Sequence, residues 1–179
     1  MLVAATKTWT LDELHSLPDD GNKYELIHGE LFVTPAPGVP HEGIGARLAR
    51  VLDRYADEHK LGLVLRPRSV VQYRGSECEP DLMVRDLPAG VLKWDQLPVP
   101  ILVVEIASPA TRRRDREQKR DFYLEIGVPE YWIVDGDART VTLVRAAQRD
   151  VVAHDTVSWH PRGAPAPLVV DLTQIFGAM

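Results

Sequence analysis

Two carboxylates stand where burial should exclude them. Glu105 interrupts the apolar run from Ile101 to Ala107, and Asp81 lies between Pro80 and the apolar Leu82-Met83-Val84. A short apolar run bounded by prolines is the pattern of a strand buried on both faces. An ionised acid is seldom found in such a strand unless it is paired. A divalent cation between the two carboxylates would supply the partner, since Mg²⁺ takes oxygen ligands from one or two carboxylates, water and substrate phosphate. Residue types alone leave a second reading open, in which an arginine neutralises Glu105 and Asp81 accepts backbone N–H groups at a turn.

The segment after Glu105 brings further candidates. Thr111 is a natural N-cap after Ser108-Pro109, and Gly127 a natural stop, so the sequence predicts one helix from Thr111 to about Ile126. Within it Asp115, Lys119 and Tyr123 stand at i, i+4 and i+8 and share a face, which puts Lys119 within reach of Glu105. The competing reading of Lys119 is an exposed ion pair with Asp115, contributing only a few tenths of a kcal/mol. Tyr123 would brace Lys119 or simply pack. Arg112, Arg113, Arg114 and Arg116 begin the same helix. Such a run is ordinarily a solvated face, but beside an acidic metal pocket it would also suit the phosphates of a nucleic acid.

These residues need elements to hold them. Thr10-Leu-Asp-Glu13 is a capping-box pattern for a short helix that ends before Pro18. Residues 1–20 therefore read as an entry segment. KYELIHGELFVTPAP is two apolar stretches around His28-Gly29, a β-hairpin that ends at Pro35 and whose second strand opens with Glu30. Ile44, Leu48, Val51, Leu52 and Tyr55 make one apolar face of a long helix from His41 to Lys60. His41, at the start of that helix, is either solvated or close to an acid or phosphate of the site. Residues 61–73 read as one long strand or two broken ones, and Arg74 to Glu79 as the polar loop that delivers Pro80-Asp81. Pro129 to Asp135 and Arg139 to Arg145, separated by Gly136-Asp-Ala, read as two strands of a second hairpin. Residues 146–179 add one or two strands and a short turn around Leu172.

Composition bounds the classes. The chain has 179 residues, 45% hydrophobic and 26% charged, with a net charge of −5, so any nucleic-acid partner must be met by a local basic patch. One domain is the natural organisation at this length. No apolar run approaches the ~18 residues of a membrane span, and the N-terminus lacks the signature of a signal peptide, so a cytoplasmic protein is expected. Cys78 is the only cysteine, which excludes an internal disulfide. Its acidic neighbours argue against a nucleophile. Phosphate-loop, dinucleotide-binding and nucleophile-elbow patterns are missing.

Taken in order, Pro80-Asp81 followed by Glu105-Ile-Ala resembles the PD-(D/E)xK nuclease signature, with Ala107 where the lysine would stand. More closely, KYELIHGEL, PAP followed by His41, EPDLMV, LVVEIASPATRRRDREQKRDFY and GVPEYWIVD together resemble the Uma-two family of restriction-endonuclease-like proteins, over residues 22 to about 145. The resemblance implies an α/β (α+β) restriction-endonuclease-like fold, a central mixed sheet flanked by helices. The whole chain, 1–179, would be one such domain: the entry segment, a nuclease-like core over 22–145 and C-terminal strands over 146–179.

The resemblance also implies that Lys119 replaces the strand lysine and that Glu30 joins Asp81 and Glu105 at the metal. The expected activity is endonucleolytic hydrolysis of DNA. Asp81, Glu105, the Ile106 carbonyl and Glu30 would bind Mg²⁺, or Mn²⁺ in its place; Lys119 would orient the attacking water, and Arg112 to Arg116 with His41 would hold flanking phosphates. Cutting both strands of a duplex would call for a homodimer. Two alternatives remain: a DNA-binding module of the same fold without catalysis, and a metal-free two-carboxylate hydrolase of a sugar.

Overall fold

The computed structural model describes residues 7–109 and 111–177. The first six residues of the expected entry segment, and Ala110 in the turn before the predicted helix, lie outside them. Thr10 caps helix α1 (Leu11–His15): its hydroxyl accepts from the Glu13 N–H, and the Glu13 carboxylate accepts from the Thr10 N–H. Strands β1 (Lys23–Ile27) and β2 (Glu30–Thr34) form the predicted hairpin. His28 and Gly29 take positive φ at its two-residue turn. A Cβ at Gly29 would lie 2.5 Å from the Thr8 methyl, so the entry segment crosses the hairpin only because that residue is glycine.

Helix α2 (Val39–His59) buries Ile44, Leu48, Leu52 and Tyr55, the face read from periodicity. Next come β3 (Leu63–Leu65), β4 (Val71–Tyr73), β5 (Ser76–Cys78) and β6 (Leu82–Arg85). Residues 61–73 are therefore two strands, and they belong to different sheets. The expected loop from Arg74 to Glu79 instead contains β5, which pairs with β4 across Arg74-Gly75 and leaves Cys78 fully buried. Burial pushes the Cys78 thiol well above its ordinary pKa, with Glu25 and Glu105 adding to the rise.

A central sheet is ordered β10-β9-β8-β7-β6-β3, where β7 is Leu102–Ala107, β8 Tyr131–Asp135, β9 Thr140–Val144 and β10 Val151–Ala153. It is mixed, as the family resemblance implied: β7 runs parallel to β8, and the other neighbours are antiparallel. A second sheet, β2-β1-β5-β4, carries the N-terminal hairpin. The C-terminal region holds β11 (Thr156–Trp159), β12 (Leu168–Asp171) and helix α5 (Leu172–Phe176), more structure than the sequence suggested.

The predicted helix after Glu105 is two helices, α3 (Arg112–Arg116) and α4 (Gln118–Glu125), separated by Glu117 at φ −114° and ψ −85°. Alternate residues of the central strands enter two cores. Leu82, Val104, Ile106 and Trp132 pack towards α2 and α5. Met83, Val103, Ala107 and Ile133 pack towards α4 and the second sheet. Asp81 and Glu105 share the parity of Met83 and Val103, so both point to the space between the central sheet, β1 and α4.

Arg85, at the end of β6, is buried and donates to the carbonyls of Pro98, Val70, Trp94 and Leu97. It ties down the irregular segment between β6 and β7 by satisfying backbone groups that would otherwise be buried without partners. Among the described residues no helix is long and apolar enough to cross a membrane.

Candidate active site

Register brings the two acids level. Leu82 pairs with Val104 in the antiparallel β6–β7 ladder, so the next position outward sets Asp81 beside Glu105. Both line a cavity of about 660 Å³, whose walls include Lys23, His41, Glu79, Arg114, Asp115, the segment Thr34 to Gly38, and Arg66 to Arg68. Asp81 is 8% exposed and Glu105 2%. A smaller hollow of about 260 Å³ between α2 and β12 holds none of these acids.

Asp81 is held from three sides. Its Oδ2 accepts from the Ile106 main-chain N–H at 2.7 Å and contacts His41 Nε2 at 3.1 Å, while its Oδ1 accepts from Lys23 Nζ at 3.2 Å. Burial raises the Asp81 pKa, but Lys23 and His41 together outweigh it and hold the carboxyl well below its ordinary value. The same carboxylate raises His41 against the opposing effect of burial.

Glu105 is held by Lys119 and Tyr123, whose Nζ and hydroxyl donate to its Oε1 at 2.7 and 2.8 Å. The i, i+4, i+8 spacing thus works across the helix break. Lys119 Nζ also lies 2.8 Å from Glu25 Oε1 and 4.0 Å from Asp115 Oδ1. The exposed Asp115–Lys119 pair is not what forms, because both residues are buried. Arg114 closes the group, 3.2 Å from Glu25 Oε2 and donating to the Thr34 hydroxyl.

Glu25, Asp81, Glu105 and Asp115 therefore face three permanent cations, Lys23, Arg114 and Lys119, with His41 beside them. Burial pushes Glu105 up to about 7, with Asp81 and Glu25 adding to the rise and Lys119 and Lys23 opposing it. Glu25 goes the other way, because Lys119, Lys23 and Arg114 together outweigh its burial. Lys119, despite burial, is held well above its ordinary value by Glu105 and Glu25.

A pH dependence of stability follows. Glu105 has a higher folded than unfolded pKa, so the native state binds more protons between the ordinary glutamate value of 4.5 and about 7. Its effect on stability must fall as pH rises through that window. Urea unfolding of the wild type between about pH 5 and 8 should lose roughly 1–3 kcal/mol that Glu105→Gln does not lose. Equal slopes for the two proteins would contradict this charge assignment.

Not every expected residue reaches the cavity. Glu30 is exposed at the start of β2. It pairs with Ile27 at the turn end of the hairpin, on the same face as Glu25 but one pleat repeat, about 7 Å, beyond it. Glu25, on that same face, is the hairpin acid that packs against Lys119 beside Glu105, and it does not line the cavity. A signal for it existed, since an acid between Tyr24 and Leu26 in an apolar strand poses the same question as Glu105.

The arginines also divide. Arg114 enters the site, Arg112 and Arg116 pair with Asp135, and Arg113 is exposed. Much of the basic run is thus neutralised by the protein itself. Lys23 and Glu79 are further cavity residues that the sequence reading did not single out.

The chemistry of the donors suits a hard cation. Asp81 and Glu105 offer carboxylate oxygens at one cavity wall, and one or two carboxylates with water and phosphate are what Mg²⁺ ordinarily takes. Among the described residues no three His, Cys, Asp or Glu side chains are grouped to hold a metal.

A family model described as "Putative restriction endonuclease", Uma2, matches residues 11–172. The chain belongs to the Uma2 family. This is the Uma-two family that the sequence blocks resembled, and the match extends beyond them on both sides. Among solved structures, a crystal structure titled as a putative nuclease belonging to DUF820 from Anabaena variabilis is similar. It is 21% identical, covers 93% of this chain and 97% of that one, and has a TM-score of 0.76. At that identity the likeness establishes the fold, which is the restriction-endonuclease-like α/β architecture expected of the family. No curated protein matches.

Proposed function

We propose that the chain is a metal-dependent DNA endonuclease whose centre is the Asp81–Glu105 pair. The observation that carries this reading is that two carboxylates from adjacent strands line one cavity together with Lys23, His41 and Arg114, a charge arrangement suited to a cation and a phosphodiester. Membership of a family whose model is described as "Putative restriction endonuclease" supports the same reaction class.

Asp81 and Glu105 would hold Mg²⁺, or Mn²⁺ in its place, beside the Ile106 main chain. When bound, such an ion supplies polarisation of the scissile phosphoryl group and a nucleophilic water near neutral pH. The protein contributes the rest. The Ile106 N–H and His41 fix the Asp81 carboxylate, Tyr123 and Lys119 fix Glu105, and Arg114 adds positive potential at the cavity wall. Cleavage of both strands of a duplex would use two copies of the site, and hence a homodimer.

Incubating supercoiled plasmid and labelled single-stranded and branched DNA with Mg²⁺, Mn²⁺ or EDTA tests the proposal. Cutting with either metal and none in EDTA is the expected outcome. Cutting in EDTA would exclude the metal mechanism, and DNA binding without cutting in any condition would favour a non-catalytic binding module.

A further inference from the structure

The expected lysine of the site is Lys119, yet it is enclosed. Lys119 is 0% exposed, its Nζ is shared between Glu105 and Glu25, and it is not among the residues lining the cavity. A group so placed cannot touch a phosphate in the cavity without abandoning two buried carboxylates. Lys23 is placed differently. It lines the cavity, its side chain is 16% exposed, and its Nζ is held by one carboxylate oxygen, Asp81 Oδ1 at 3.2 Å, and by the Glu79 carbonyl at 3.0 Å.

Strand geometry fixes this division of labour. Lys23 and Glu25 are two residues apart on β1 and point the same way, so the strand delivers an acid to Lys119 inside and an ammonium to Asp81 at the cavity wall. The Lys23 ammonium stands against Asp81 Oδ1, one of the two oxygens that this carboxylate could offer a metal. A divalent cation on that carboxylate would be repelled by the ammonium already there.

We propose that Lys23, and not Lys119, is the ammonium that meets the substrate phosphate, and that it leaves Asp81 to do so when a divalent cation binds there. Lys119 is then a positioning residue that holds Glu105 and Glu25. The inference rests on the metal-nuclease reading and adds the residue that touches substrate. With Ala107 in the strand position, the substrate-facing charge would then come from the hairpin.

Lys23→Gln removes the charge while leaving a donor for the Glu79 carbonyl, and Lys23→Arg keeps the charge. Two readouts are needed: Mn²⁺ affinity by calorimetry, and the rate of DNA cutting at saturating Mn²⁺. Lys23→Gln should bind Mn²⁺ about tenfold more tightly, because the resident ammonium no longer competes. It should nevertheless cut about 10²-fold or more slowly at saturation, as expected when a charge aimed at the transition state is lost. Lys23→Arg should retain most of the cutting.

Wild-type cutting by Lys23→Gln would overturn the phosphate role. Mn²⁺ binding no tighter than in the wild type would overturn the displacement. If neither the wild type nor the variants bind Mn²⁺ or cut DNA, the metal-nuclease reading itself fails, and the assignment of Lys23 falls with it.

Discussion

Lys119→Met should lower the unfolding free energy by roughly 3–5 kcal/mol, the range for removing one partner of a buried ion pair. Two fully buried carboxylates, Glu25 and Glu105, depend on this ammonium at 2.8 and 2.7 Å. Arg114 would remain on the far oxygen of Glu25, but Glu105 would keep only the Tyr123 hydroxyl. The variant should therefore take up protons on folding and regain stability as pH falls towards 5, because neutral acids carry no buried charge. Urea titrations of both proteins at about pH 5 and 8 test this. A loss near zero, or one independent of pH, would mean that the acids do not rely on Lys119.

Asp81→Asn should abolish metal-supported cleavage, a loss of about 10³-fold or more, while leaving the protein folded. The substitution keeps the side-chain shape and an oxygen for the Ile106 N–H, so the β6–β7 junction stays in place. What disappears is the anionic ligand, and the several kcal/mol of transition-state stabilisation that a bound cation provides goes with it. Some stability should also be lost. The Asp81 carboxylate is ionised through the whole neutral range and holds both Lys23 and His41, and hydrogen bonds to charged groups contribute about 1.5–3 kcal/mol each. Plasmid cleavage measured beside the unfolding midpoint separates the two effects. Residual cutting near the wild-type rate in a folded variant would remove Asp81 from the mechanism.

The central pair was legible because its signal is local. An acid in an apolar, proline-bounded strand is conspicuous without knowledge of the fold, and helix periodicity was enough to carry Lys119 to Glu105 even though the helix breaks at Glu117. The second-sheet contribution was harder to read. Choosing between Glu25 and Glu30 needs the distance along the hairpin to Lys119, which is set by the packing of β1 against α4 and by no feature of the hairpin itself. The ion pairs of the basic run were hidden for a related reason. Arg112 meets Asp135 and Asp137 more than twenty residues later in the chain, so the sequence showed its charge but not its pairing. Strand β5 was hidden because Ser76-Glu-Cys78 has the composition of a loop, and it is the pairing with β4 and β1 that makes it a strand.

The most direct test of the account is a calorimetric titration of Mn²⁺ into the wild type and into Asp81→Asn near pH 8, where Glu105 has released its proton. Saturable binding by the wild type, weakened about a hundredfold or more in the variant, is the predicted result. A wild type that binds no Mn²⁺, or a variant that binds it as tightly as the wild type, would contradict the claim that Asp81 and Glu105 form a metal centre.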